Sequence, residues 1–228
     1  MEQKAVLIGA TGLIGSHFLD DLKDNDDLQI HAITRRKIDH LEQKGFIGQS
    51  VYDFKDLEAI RPVLKADILI STFGTTIRNA GSQDEFVIVD HDIPLEISKM
   101  AKEEGCKTMI LVSSVGADSG SKYFYTRMKG LLEEAIKDLE FETFHIIRPS
   151  LLLGNRMEFR LGEYLSKCIM GPLAFMVPWQ YRPIHAGTVA TFIKYLIKEN
   201  LQGNFVWEGQ KLFHPVSYTH LRAHETGY

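Results

Sequence analysis

The sequence has little cysteine, no excess of either charge and no long apolar run. Its only cysteines, Cys106 and Cys168, are too few for a disulfide framework. Lys and Arg number 26 against 30 for Asp and Glu, a net charge of −4, and this balance argues against a nucleic-acid partner. No apolar stretch is long enough to span a membrane, and no leader precedes the first predicted strand. These absences predict a reduced, cytoplasmic protein whose partner is a small molecule.

What the sequence does contain is a glycine-rich turn between an apolar strand and a helix. The strand is predicted over residues 4–8, and the turn has the spacing G-x-x-G-x-x-G through Gly9, Gly12 and Gly15. Glycines let a backbone approach phosphates closely, and the N–H groups at a helix N-terminus attract negative charge. The turn therefore predicts a binding site for the pyrophosphate of a dinucleotide. The alternative is an ordinary glycine turn that joins a strand to a helix.

Apolar runs and helical periodicity alternate along the rest of the chain. Helix 85–104 contains Pro94, which is expected to kink it or break it in two. Such alternation predicts an α/β fold with a doubly wound parallel sheet. Further strands are predicted over 28–34, 48–51, 67–72, 108–112, 143–147 and 204–207, helices over 56–64, 85–104, 125–139 and 184–200, and a polar loop over 77–83.

The length of 228 residues fits one domain with a small appended lobe. We expect the domain to occupy residues 1–215, with a C-terminal substrate lobe mainly at 155–183. Residues 216–228 lack apolar periodicity and are interpreted as a non-native tail. His220 and His224 in that tail supply half of a tetrahedral zinc site, so no metal is expected.

A pair of arginines follows the second predicted strand. Arg35 and Arg36 stand about 20 residues past the glycine turn, where dinucleotide-binding folds place the group that contacts the adenosine ribose. An acidic residue there suits a 2′-hydroxyl, whereas arginine suits a 2′-phosphate. The pair predicts NADPH rather than NADH, and the alternative is a solvated basic turn. Asp53, after the third strand, is a candidate contact for the adenine.

Polar residues typical of acid–base chemistry follow the fifth predicted strand. Ser113 and Ser114 end that strand, Tyr125 comes twelve residues after Ser113, and Lys129 lies one helical turn further on. Residues four apart share a helix face. A nearby ammonium favours the ionised form of a tyrosine, whose pKa is ordinarily about 10. The pattern predicts a proton-transfer site at the edge where open α/β sheets bind ligands.

Together these motifs resemble the atypical short-chain dehydrogenases/reductases over about residues 3–212. A narrower similarity is to the Tat-interacting oxidoreductase-like branch, which implies an NAD(P)-binding Rossmann fold and NADPH as cofactor. The resemblance is carried by Gly9-x-x-Gly12-x-x-Gly15, Phe73-Gly74-Thr75-Thr76, Ser113-Ser114, Tyr125-x-x-x-Lys129 and the segment 148–154 with Arg148-Pro149.

The resemblance also implies roles for individual residues. Tyr125 is expected to donate a proton, and Lys129 to hold the nicotinamide ribose. A serine is expected to bind the substrate oxygen. Ser114 is the preferred candidate for this serine, and Ser113 is the alternative. Cofactor contacts are implied for Thr11, Gly12, Leu13, Ile14, Arg35, Arg36, Phe73, Gly74, Pro149, Leu152 and Arg160.

Two functions follow from these motifs and the resemblance. One is an NADPH-dependent oxidoreductase that reduces a small carbonyl compound or oxidises an alcohol through a Ser-Tyr-Lys site. The other is a non-catalytic NADPH-binding regulatory or protein-interaction module, because the branch includes proteins of that kind. The intact serine, tyrosine and lysine favour the enzyme. A homodimer and a protein partner both remain open, and the residues do not identify a substrate.

Overall fold

A parallel sheet of seven strands forms the centre of the computed structural model, which describes residues 3–23, 27–44, 46–154 and 182–213. The strands are β1 (Gln3–Ile8), β2 (Leu28–Thr34), β3 (Ile47–Val51), β4 (Ile68–Ser71), β5 (Thr108–Val112), β6 (Thr143–Arg148) and β9 (Gly203–Glu208), and β7 (Leu152–Leu153) pairs separately with β8 (Ile184–His185). The strand order is β3-β2-β1-β4-β5-β6-β9, and it reverses between β1 and β4. This is the doubly wound parallel sheet predicted from the sequence, and ligands of such sheets bind where the order reverses.

Helices cover both faces of the sheet. On one face α1 (Leu13–Asp21) packs beside α6 (Ala186–Glu199), and on the other lie α4 (Ile93–Glu103) and α5 (Phe124–Lys137). Successive residues of a strand point to opposite faces, so the apolar residues of the central strands β1, β4, β5 and β6 contribute to two separate cores. This burial on both faces explains why these central strands are mainly apolar.

The segment predicted as one kinked helix over 85–104 is divided more finely. It consists of α3 (Gln83–Val87), a π-helical turn over Ile88–Asp92, and α4. Pro94 lies in the first turn of α4, where its missing N–H costs no hydrogen bond. The helix is therefore interrupted by the π-helical turn that precedes the proline, not by a kink at the proline itself.

Two further local predictions are wrong. The helix expected over 56–64 is a 3-10 helix at Glu58–Val63, because Pro62 inside it cannot donate an α-helical hydrogen bond. The loop expected over 77–83 contains the short helix α2 (Ile77–Ala80), capped by the Thr76 side chain, which accepts from the Asn79 amide.

The predicted lobe and tail fall largely outside the described residues. These predictions cover 155–183, of which 182–183 are described, and 216–228 with His220 and His224; Arg160 also falls outside. Among the helices that are described, none combines the length and the apolar character needed to cross a bilayer.

Candidate functional site

The β1–α1 turn is built from close backbone contacts that require glycine. Gly9 has a φ of +85°, and a Cβ there would lie 2.5 Å from the backbone nitrogen of Phe73. Gly12 is the N-cap of α1, and a Cβ on Gly15 would collide with the carbonyl oxygen of Gly9. Thr72 ties the two strand ends together, since its Oγ1 donates to the Gly9 oxygen over 3.1 Å. The turn is therefore held against the end of β4.

A cleft of about 470 Å³ opens at the carboxyl ends of β1, β2 and β4. Its volume is in the range of small-molecule sites. Residues predicted from the sequence that line it are Gly9, Thr11, Gly12, Arg35, Arg36, Phe73 and Gly74. Lining residues that were not predicted from the sequence include Phe54, Thr75, Asn79, Glu85 and Val89.

Arg35 and Arg36 form the β2 end of this cleft. Both side chains are exposed, and in the described part of the chain neither guanidinium has an ion-pair partner. A guanidinium without a carboxylate partner can bind a phosphate through two parallel hydrogen bonds. The end of the cleft is thus positively charged and open to an anion.

Other residues predicted to contact a cofactor lie behind or beside the cleft. Ile14 is buried beneath the glycine turn. A Cβ on Gly154 would lie 2.6 Å from a methyl group of Leu13, so these two residues are in close contact, and Leu152 packs on the same apolar core. Asp53 is exposed, and its Oδ1 accepts the backbone amide of Lys55.

The other end of the cleft leads to a buried ion pair. Lys129 is 4% exposed, and its Nζ lies 2.7 Å from Oδ1 of Asp90, which is 1% exposed. Gly74 lies between the ion pair and the cleft. A Cβ on this glycine would lie 3.2 Å from Asp90 Oδ1 and 3.5 Å from Lys129 Nζ. Tyr125, one turn before Lys129, packs its ring 5.6 Å from that of Phe86. Gly74 therefore leaves the lysine next to the cleft.

Each member of the ion pair responds to its neighbours. Burial raises the pKa of Asp90, although Lys129 and the Thr75 amide, which donates to Asp90 Oδ2 over 2.6 Å, oppose that change. Burial alone would lower the pKa of Lys129, but the charges of Asp90, Tyr125 and Glu133 outweigh it and raise that pKa. Lys129 is therefore an ammonium at neutral pH.

The β5–α5 loop folds back onto the first turns of α5. A Cβ on Gly130 would collide with the backbone of Asp118 and Ser119, so the loop lies directly on the helix at this glycine. The Asp118 amide donates to the Thr126 carbonyl, and the Thr126 and Ser121 hydroxyls are 2.7 Å apart. These contacts fix the loop that begins with the two serines.

The two serines at the end of β5 differ in environment. Ser113 is 7% exposed, its amide donates to the Ile147 carbonyl, and its hydroxyl has no hydrogen-bond partner among the described residues. Ser114 is half-buried, and its hydroxyl donates to the Val115 carbonyl over 3.4 Å. A buried hydroxyl without a partner is costly unless something else satisfies it.

A second, partly buried ion pair joins α5 to β6 one turn beyond Lys129. The Nε and Nη2 atoms of Arg148 contact the carboxylate of Glu133 over 2.5–3.2 Å, and Nη1 lies 3.7 Å from Glu208. Hydrogen bonding to Glu133 raises the pKa of Arg148 above its ordinary value. Next in the chain, the carbonyl of Pro149 accepts the Val115 amide. The pair therefore anchors α5 to the strand end beside the serines.

Asp90 is a further site residue that was not predicted from the sequence, although the sequence carries a signal for it. Phe86, Ile93 and Ile97 are buried at helical spacing, and Asp90 falls on the same stripe. An acidic residue on an apolar stripe needs a buried partner. No cluster of three or more histidine, cysteine or acidic residues that could hold a metal occurs in the ranges that the structure describes.

Comparisons with known proteins agree with this architecture. A model of the NAD(P)H-binding family matches residues 9–156. Protein HTATIP2 from Rattus norvegicus is 35% identical over 201 residues, which cover 86% of this chain and 81% of that protein. Protein fmp52, mitochondrial, from Emericella nidulans is 37% identical over 175 residues, covering 73% of this chain and 74% of that protein.

Solved structures share the fold at lower identity. The UDP-Glc/GlcNAc 4-epimerase from Campylobacter jejuni superposes with a TM-score of 0.68 at 16% identity, covering 90% of this chain and 78% of the epimerase. At this identity the likeness concerns the fold alone. One expectation is wrong on these comparisons: several relatives are named as mitochondrial proteins, and this contradicts the cytoplasmic location expected from composition.

Proposed function

Because this chain belongs to the NAD(P)H-binding family, in the branch of atypical short-chain dehydrogenases/reductases that includes Protein HTATIP2, we propose that it is an NADPH-dependent oxidoreductase. Its reaction is the reduction of a small carbonyl compound or the oxidation of an alcohol. One observation carries the proposal: the cleft has Arg35 and Arg36 at one end and Gly74, beside the buried Lys129 ammonium, at the other. A dinucleotide needs phosphate-binding groups and a reaction centre in this relative order.

The described residues fit such a cofactor. Gly9 and Gly12 leave the backbone bare at the N-terminus of α1, where a pyrophosphate would be held by amide groups. Arg35 and Arg36 would hold a 2′-phosphate, which supports NADPH over NADH. When bound, the reduced nicotinamide supplies a hydride to the carbonyl carbon of a substrate.

Tyr125 is the group that we assign to proton transfer. It lies on the same face of α5 as Lys129, one helical turn before it. In carbonyl reduction the Tyr125 hydroxyl gives its proton to the carbonyl oxygen, which gains negative charge as the carbon is reduced. Lys129 orients that hydroxyl and holds the nicotinamide ribose.

The serine of the site is Ser113 rather than Ser114 in this proposal. Met109 and Leu111 of β5 point towards the core beneath α4 and α5, and Ser113 continues that alternation, because its amide extends the ladder to Ile147. Its side chain is then on the α5 face, like Tyr125. A substrate oxygen would satisfy the unpaired Ser113 hydroxyl and be stabilised by it.

The proposal is tested by replacing Tyr125 with phenylalanine, which keeps the ring and removes the acid. We expect turnover of any accepted carbonyl compound to fall by about 10²–10⁴-fold, as is typical for a lost general acid, while NADPH affinity stays nearly unchanged. The matched control is Tyr123→Phe, two residues earlier, where the tyrosine is 79% exposed. That variant should keep full turnover.

The alternative function, a non-catalytic NADPH-binding module, predicts a different result. A broad screen of carbonyl compounds would then give no turnover with the parent protein. Tyr125→Phe would change neither cofactor binding nor partner binding. A protein partner captured only with NADPH present, in the absence of turnover, would replace the enzyme by that module.

A further inference from the structure

The two arginines of the cleft belong to a short stretch of chain, residues 35–37, which we call the arginine segment. It begins after Thr34, the last residue of β2, which is 3% exposed and whose carbonyl accepts the Tyr52 amide over 2.8 Å. It ends at Ile38, which is also bonded to β3. The segment therefore joins two fixed points that are separated by three residues.

Gln49 of β3 holds the second of these points through both ends of its side-chain amide. Its Oε1 accepts the Ile38 N–H over 2.9 Å, and its Nε2 donates to the Ile38 carbonyl over 3.0 Å. The backbone of Gln49 lies in the sheet, in register with Ala32 of β2. The two side-chain bonds thus give Ile38 the kind of pairing that a neighbouring strand would supply.

We propose that Gln49 is a positioning residue that holds the arginine segment at the β2 end of the cleft, and that it thereby strengthens the preference for a dinucleotide with a 2′-phosphate. The inference rests on the proposed function, because it concerns the same cofactor site. Gln49 is not one of the described residues that line the cleft, so it acts on the phosphate only through the segment.

The physical reason is the entropy that binding costs. Arg35 and Arg36 are exposed, so their side chains lose freedom when they bind a phosphate. A backbone that is already fixed keeps this cost to the side chains. Without the bonds from Gln49 the backbone of the segment would also have to be ordered on binding. NADH lacks the 2′-phosphate, so its affinity should depend little on this ordering.

Other contacts hold the chain that follows Ile38. Leu41 is fully buried in the 3-10 turn Asp39–Gln43, and the Lys44 ammonium donates to three backbone carbonyls at the end of α1. These contacts do not involve Gln49, so they should keep the turn in place when Gln49 is replaced. The effect of a substitution should therefore be limited to the arginine segment.

The test is the ratio of the dissociation constants for NADPH and NADH, measured by calorimetric titration of the full chain. Gln49→Met keeps the length of the side chain and removes both hydrogen bonds. We expect NADPH affinity to fall by about three- to tenfold while NADH affinity stays nearly unchanged. Gln49→Asn keeps the amide but is one methylene too short for Ile38. It should have the same effect, and it serves if the methionine variant is poorly folded.

The matched control is Ser50→Ala, at the next residue of β3. The Ser50 hydroxyl lies 2.8 Å from Nε2 of His31, so this variant removes a side-chain hydrogen bond from the same strand. That bond does not involve Ile38 or the arginine segment. The affinities of Ser50→Ala for NADPH and NADH should therefore equal those of the parent.

A second measurement needs no cofactor. Trypsin cuts after arginine and lysine, so the fragments that end within the arginine segment report how often this segment opens in the native protein. These fragments should form about tenfold faster in Gln49→Met than in the parent, because cleavage follows the population of the opened segment and two hydrogen bonds are lost. Ser50→Ala should be cut at the parent's rate.

Unchanged selectivity in the two Gln49 variants would overturn the inference, and so would an unchanged rate of cleavage. An equal loss of affinity for NADPH and NADH would also overturn it, because a general structural role does not discriminate between them. The expected loss of selectivity in a protein that turns over no substrate would support the inference and refute the enzyme. Equal affinity of the parent for both cofactors would overturn the inference together with the role of the arginines.

Discussion

The two ends of the cleft carry positive charge in opposite ways. At one end Arg35 and Arg36 are exposed and have no carboxylate partner among the described residues. At the other end Lys129 is buried and already paired with Asp90. The exposed arginines can direct their charge at a ligand, whereas the buried lysine is part of the folded structure. The two ends should therefore respond differently to the loss of charge. Loss of the buried lysine should lower the stability of the fold, and loss of the exposed arginines should weaken ligand binding.

The largest effect is expected at the buried end. Lys129→Met leaves the Asp90 carboxylate without its ammonium, and breaking a buried pair in this way costs about 3–5 kcal/mol of stability. The free energy of unfolding is measured by denaturant titration. The matched control is Lys137→Met, the same change at an exposed position of α5, which should stay within about 0.5 kcal/mol of the parent.

The same variant has a pH dependence of defined sign. Burial raises the pKa of Asp90, and without Lys129 that pKa rises further. The folded state then binds a proton more tightly than the unfolded state, so stability is lost as pH rises from the unfolded pKa to the folded one. The deficit of Lys129→Met should be larger at about pH 8 than at about pH 5. An equal loss of unfolding free energy at the two pH values would show that Asp90 has another partner.

His145 tests whether burial alone produces such effects away from the cleft. It is 1% exposed, accepts the Trp207 indole N–H over 3.2 Å, and stacks on Phe205. Burial lowers its pKa to about 4. The unfolded chain takes up this proton first, so stability is complete above about pH 6.5 and falls by about 3 kcal/mol as pH drops to 4.

The measurement is the difference in unfolding free energy between the parent and His145→Gln from about pH 7 to about pH 4. The parent should lose more stability over this range than His145→Gln does, and the difference should account for most of the expected loss. His17→Gln, at an exposed histidine, is the control and should keep the parent's slope. Identical slopes in the parent and in His145→Gln would contradict the assignment of a neutral, buried imidazole.

Much of the fold could be predicted because its signals are local. Each of the seven strands of the sheet was predicted to within two residues at either end. In the central strands, burial on both faces requires apolar runs, whereas β3 and β9 at the two edges of the sheet are partly exposed. The helix predicted over 56–64 failed because Pro62 changes the hydrogen bonding within one turn. The division of residues 85–104 depends on a wide turn that places Asp90 against α5, and no local pattern reports that tertiary contact.

The two ends of the cleft also differ in how far their residues could be predicted from the sequence. The glycine turn and the two arginines were predicted from spacing, because backbone turns and exposed charges depend on neighbours in sequence. Asp90 and Lys129 are 39 residues apart in sequence, so their pairing could not be derived from local pattern, although the position of Asp90 on an apolar stripe indicated a buried partner. Counting alternate residues from Met109 would have placed Ser113 on the α5 face.

The smallest effect in free energy is expected at the exposed end, and it concerns binding rather than stability. In the proposed NADPH complex, replacing Arg35 and Arg36 by alanine would remove the charged hydrogen bonds to the 2′-phosphate, which are worth about 1.5–3 kcal/mol. The preference for NADPH over NADH should fall by roughly ten- to a hundredfold, measured by calorimetric titration with both cofactors. Stability should not change, because neither side chain is buried.

A control with the same loss of charge separates a specific phosphate contact from general attraction. Lys4 and Lys65 border a groove at the opposite, amino edge of the sheet, and replacing both by alanine also removes two positive charges. Attraction by net charge alone would weaken NADPH binding equally in both double variants, whereas a direct contact requires the effect only in the arginine variant. Equal affinity of the parent protein for NADPH and NADH would contradict the role of the arginines, and a stability loss in the arginine variant would remove the contrast between the two ends of the cleft.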